Sequence, residues 1–138
     1  MPLYPTNLPT TFLNDGKTQI LQTGTLVTTA TTADQVILTY TVSAGNTFCL
    51  TYLNVVGAQT TPSGGTSIVL GTLSLEAPSG TKVMIKRCLG GGGVLPDGLI
   101  FTFTEPLFFN SGTVIRAVVT PASTTSFTWS ANFGGYER

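Results

Sequence analysis

Apolar and polar positions in this chain alternate with the period of a strand. From Ser126 to Phe133, Phe127, Trp129, Ala131 and Phe133 fall on one side, and Ser126, Thr128, Ser130 and Asn132 on the other. A period of two assigns one face to a core and one to the outside. Upstream, Val36–Val42 sets Val36, Leu38, Tyr40 and Val42 inward against Ile37, Thr39 and Thr41, and the turn Ser43-Ala44-Gly45-Asn46 follows. Thr47–Ala58 puts Phe48, Leu50 and Tyr52 on one face, then shifts phase to Leu53 and Val55, which predicts a bulge or a bend. Lys17–Ala30 and Ser67–Ala77 read as further β runs. Thr81–Cys88 separates Val83 and Ile85 from Lys82, Met84 and Lys86. After the glycine-rich loop 89–98, Leu99, Phe101 and Phe103 alternate inward until Glu105-Pro106 interrupts. Thr113–Thr120 sets Ile115, Ala117 and Val119 against Val114, Arg116 and Val118.

Eight or so short strands between turn signals, with no helical period, predict an all-β antiparallel jelly roll or β-sandwich. It spans residues 17–138, behind an extended arm of residues 1–16. The arm holds Pro2, Pro5 and Pro9, which remove donors and favour extended backbone. Fully stretched it reaches roughly 50 Å. Leu3, Tyr4, Leu8, Phe12 and Leu13 make it too apolar for a solvated tail, so it either lies along its own domain or grips a neighbouring subunit.

Charge changes the picture most. Charged residues are 9% of the chain, against about 25% in an ordinary domain. Lys+Arg and Asp+Glu stand at six each, and threonine is the commonest residue. No basic field exists to displace counterions from phosphate, so nucleic acid is not an expected partner. An anionic membrane surface is unfavoured for the same reason, and no run is long and apolar enough for a spanning helix. The opening MPLYPTNLPTT has neither the cationic nor the apolar region of a secretory signal. Cys49 and Cys88 are therefore expected as buried, reduced thiols rather than a bridge.

The residues that usually carry chemistry are sparse. Histidine is absent, which removes the common general base and the commonest metal ligand. The two cysteines lie too far apart in sequence for a zinc spacing. Gly90–Gly93 is followed by Val94-Leu95-Pro96 rather than by Lys-Ser/Thr, so it is not a phosphate loop. Glu76 and Glu105, at strand ends, are the carboxylates a glycosidase reading would use, but solvated or ion-paired groups are the ordinary outcome there. Trp129 suits a sugar platform by type, yet it alternates in phase with Phe127 and Phe133 and belongs with the core. No catalytic, metal or cofactor residue is expected.

A chain that avoids charge nearly everywhere fits a surface meant to be covered, because interface cores are depleted of Lys, Glu and Asp. The candidate interface residues are Leu3, Tyr4, Leu8, Phe12 and Leu13 on the arm, Val114, Arg116 and Val118 on one strand, and Tyr136. The arm MPLYPTNLPTTF, the Thr/Gly-rich β body, the run FTFTEPLFF and the closing SFTWSANFGGYE together resemble small structural proteins of tailed-phage virions. The likeness is to capsid decoration, or cement, proteins with jelly-roll folds. It implies a non-enzymatic protein that binds the outer capsid surface and clamps neighbouring capsomers. The implied partners are the major capsid protein and copies of the chain itself, as a dimer or trimer, with assembly in the host cytoplasm. Another virion part, such as a tail or receptor-binding module, and a carbohydrate-binding module are the alternatives.

Overall fold

The structure is a computed structural model that describes residues 16–28, 32–59, 68–90, 98–122 and 127–138. The arm residues Leu3, Tyr4, Leu8, Phe12 and Leu13 lie outside the described residues, as do most of the expected loops at 59–66 and 89–98.

Eight strands follow in chain order: β1 (Thr18–Val27), β2 (Gln35–Thr41), β3 (Phe48–Gln59), β4 (Ile68–Glu76), β5 (Lys82–Gly90), β6 (Leu99–Phe109), β7 (Val114–Pro121) and β8 (Phe127–Glu137). They form two antiparallel four-stranded sheets, β1-β8-β3-β6 and β2-β7-β4-β5. This strand order is that of an eight-stranded jelly roll. The first and last strands pair along their whole length, from Thr18 opposite Glu137 to Val27 opposite Thr128.

The core lies between the sheets. Phe127, Trp129, Ala131 and Phe133 of β8 face Leu73 and Leu75 of β4 and Ile115, Ala117 and Val119 of β7, all buried. Trp129 is fully buried, and Gly57 makes room for it: a Cβ there would sit 2.6 Å from the indole ring. The Trp129 platform is thus core, as its phase required. Cys49 and Cys88 are buried thiols with no disulfide between them.

Bulges account for where the alternation slips. The expected phase change in β3 occurs, but the register shift falls between Leu50 and Tyr52 against both neighbours, so Tyr52 turns to the outer face instead of sharing the face of Phe48 and Leu50. In β2 a shift falls between Val36 and Leu38. It leaves Val36 exposed and turns Ile37 inward beside Leu38, the reverse of the expected assignment for those two residues. Leu89 and Gly90, expected in a loop, extend β5.

Candidate functional site

Ionised groups divide unevenly between the two outer faces. On the β2-β7-β4-β5 sheet, Glu76 is 1% exposed and faces Arg116 across the β4–β7 pair. Arg116 Nε and Nη2 both donate to Glu76 Oε2, at 3.0 and 2.5 Å, and the Gly80 N–H donates to the same oxygen at 2.9 Å. Burial pushes this carboxyl up, but the Gly80 and Arg116 hydrogen bonds and the guanidinium charge outweigh it, so Glu76 stays below the usual range. Nearby, Lys82 Nζ lies 3.2 Å from Asp34, and the Thr120 hydroxyl donates to Asp34. That hydroxyl is the main cause of Asp34's lowered pKa.

A second buried carboxylate closes one end of the sandwich. Glu137, 3% exposed, accepts hydrogen bonds from the Tyr40 hydroxyl, from the Ser43 N–H at 2.9 Å and from Asn46 Nδ2 at 2.9 Å. Desolvation opposes its charge, yet the donors prevail and hold it at about 2. The same arrangement pushes the Tyr40 phenol up to about 12, through burial first and the neighbouring carboxylate second. Both carboxylates are thus committed to holding the fold. Among the described residues no group of three or more His, Cys, Asp or Glu is placed to hold a metal ion.

The outer face of the β1-β8-β3-β6 sheet is different. Its rows run Leu21–Gly134–Tyr52–Thr102, Thr23–Asn132–Asn54–Ile100 and Thr25–Ser130–Val56, by the pairing registers. None of these side chains is ionised at neutral pH. Charge enters at one end only, where Lys17 Nζ lies 5.2 Å from the centre of the Tyr136 ring and the Arg138 guanidinium 5.5 Å from that of Phe108. Glu105 belongs to the stretch Phe103–Pro106, which has no register partner on β3. Five large apolar side chains stand out on this face: Leu21, Val27, Val56, Ile100 and Phe108, with Ile100 65% exposed. In the middle, the Tyr52 ring lies across Gly134, where a Cβ would meet its hydroxyl at 2.7 Å, and Asn54 Nδ2 donates to Asn132 Oδ1 at 3.3 Å. The exposed apolar face around the open edge continues into a cleft of about 410 Å³ between β5 and β6. It is lined by Met84, Ile85, Lys86, Leu99, Ile100 and Phe101, and Lys86 Nζ spans it to the Gly98 carbonyl at 2.7 Å.

Set against these positions, the expected interface residues divide. Tyr136 is part of the uncharged face, half-buried under Lys17. Val114 is half-buried on β7. Arg116 is occupied by Glu76. Val118 is a correction: it has no exposed surface, on β7 between Val36 of β2 and the equally buried Ser74 of β4. It offers nothing to a partner while the chain is folded. Leu21, Val27, Val56, Ile100 and Phe108 were not among the expected interface residues: they stand at outward positions of three strands, β1, β3 and β6, and share a face only once the strand order is known. Val27 and Val56 stand at the outward positions of runs whose register was weak or shifted.

No protein-family model matches the chain, and no curated protein matches it. Among solved structures it is similar to the crystal structure of Podospora anserina GH26-CBM35 beta-(1,4)-mannanase, at 14% identity and a TM-score of 0.39. That match covers 87% of this chain and 28% of the other, so the chain spans under a third of that structure's length.

Proposed function

We propose that the protein is a non-enzymatic virion component that binds the outer surface of a phage capsid and stabilises contacts between capsomers. Its partners in this reading are the major capsid protein and further copies of the chain. The observation that supports it is the outer face of the β1-β8-β3-β6 sheet, uncharged in its central rows with Lys17 and Arg138 at one end, and carrying exposed Leu21, Val27, Val56, Ile100 and Phe108. Several exposed large apolar side chains on one uncharged sheet face are the kind of surface an interaction site offers. Burying its central rows against a protein shell strands no ion, and repetition around a symmetric particle multiplies a modest single-site affinity. The jelly roll is a fold that serves capsid domains, though it serves lectins as well.

The test is co-sedimentation of the full chain with purified tailed-phage capsids. Ile100→Lys is expected to weaken binding at least about tenfold, since it removes a buried isoleucine and buries an ammonium. Val83→Lys, exposed on β5 of the other sheet and outside the cleft, is expected to bind as the wild type does. Equal binding by both variants refutes the docking face.

A carbohydrate-binding module is the second reading, favoured by one observation. Tyr52, Asn54, Asn132 and Tyr136 bring two phenol rings and two amides onto one face, the set of groups that stacks on and hydrogen-bonds a sugar. Specific glycan binding lost in Tyr52→Ala would favour it over the capsid.

A further inference from the structure

The four edge strands of the sandwich are β1, β6, β2 and β5, and three of them carry features that discourage further pairing. The β6 strand departs from the β3 register over Phe103–Pro106, a stretch containing both Glu105 and Pro106. The β2 strand is broken by the shift at Val36/Leu38. The β5 strand bears Lys82, Lys86 and Arg87. Charge, proline and bulges are the usual protections of an open edge. β1 has none of them. Its ten residues, TQILQTGTLV, hold no charge and no proline, and they follow β8 without a register shift. Among the described residues nothing pairs with its other edge.

We propose that this edge is the seam of a two-fold dimer in which β1 pairs antiparallel with β1 of a second copy. A neutral strand meets its own copy without like-charge repulsion. Side chains opposite one another in an antiparallel pair share a face, so the two-fold axis passes through a residue opposite itself. With Thr23 on the axis, Ile20 lies opposite Leu26 of the second copy on the inner face, and this happens twice. On the outer face Leu21 lies opposite Thr25 and Gln19 opposite Val27. The strand is about 34 Å long. With an edge roughly 15 Å deep, each copy covers about 500 Å² and the pair about 1,000 Å², the lower bound of a specific interface. The chain's own residues 1–15 are the competing occupant; Pro2, Pro5 and Pro9 remove ladder donors from 1–9, and a monomeric wild type is the outcome that would leave the edge to 10–15. Pairing β1 to β1 makes one continuous eight-stranded sheet and sets the two uncharged outer faces side by side. The seam stands whether the doubled face docks on a capsid or a glycan.

Cysteine crosslinking of the full chain reads the register directly. On the axis, Thr23→Cys brings two Cα atoms within about 4.5–5.5 Å, inside the range of a disulfide. Thr25→Cys leaves its copies about 14 Å apart along the strand. The native thiols are buried and do not compete. Wild-type protein is expected to scatter light as twice the 14.4 kDa chain. Mild oxidation is expected to convert most Thr23→Cys, and little Thr25→Cys, to a covalent dimer. A monomeric or trimeric wild type, or Thr25→Cys crosslinking as readily as Thr23→Cys, overturns the proposal.

Discussion

Glutamate 137 links the last residue of β8 to the β2–β3 turn, and its charge is measurable as stability. Three donors converge on it: the Tyr40 hydroxyl, the Ser43 N–H and Asn46 Nδ2. They hold its carboxyl at about 2, against an ordinary 4.5. The folded state therefore keeps the carboxylate ionised where the unfolded chain has already bound a proton. Stability from this group is present above about pH 4.5 and is lost as pH falls toward 2. The depression corresponds to about 3 kcal/mol, or about 10 °C in Tm for a chain of this length. Glu137→Gln keeps the shape but removes the charge, and it turns an amide donor toward either Asn46 or Tyr40. Urea unfolding at pH 7 is expected to show a loss of up to about 3 kcal/mol. The gap between wild type and variant is expected to shrink steadily from pH 4.5 to 2. The subtraction matters because Glu76 and Asp34 also have lowered values and add to the acid lability of both proteins. Two stability curves that stay parallel from pH 7 to pH 2 would refute this account of Glu137.

The partner of that bond makes a prediction at the other end of the pH scale. Tyr40 is held protonated to about 12, so its contribution is full below about pH 10 and is lost as pH rises from 10 to 12; Tyr40→Phe should flatten that limb in a thermal-melt series. Val118→Asp is expected to abolish the cooperative melting transition, because a carboxylate there is buried without a counter-ion; a folded but assembly-defective variant would return Val118 to the surface.

Local patterning was readable where a strand is flanked on both sides. β8 is such a strand, and all four of its expected inward residues are buried. The bulge in β3 was visible because it changes which parity is apolar, but the half-buried aromatic Tyr52 read as inward and put the shift two residues late. Edge strands misled for a physical reason. Phe101 has the inward phase of Leu99 but remains 47% exposed, since β6 has no neighbour beyond it. Val83 and Ile85 share a phase, yet both stay exposed on the edge strand β5 while Met84 packs against the core. The hidden bulge in β2 reversed Val36 and Ile37. For Val118, the phase opposite Ile115, Ala117 and Val119 suggested exposure, and the fold buries it all the same. The division of charge between the two faces was likewise invisible, because a count of charged residues carries no strand order. The pairing of β1 with β8, more than a hundred residues apart, is what gathers Leu21, Val27, Val56 and Ile100 on one surface.

The most direct measurement is a cryo-EM map of tailed-phage capsids decorated with the full chain. The account predicts the outer face of the β1-β8-β3-β6 sheet against the shell, with Ile100 and Phe108 covered and the Glu76–Arg116 face toward solvent. A bound molecule with the Glu76–Arg116 face against the shell and Ile100 in water would contradict it.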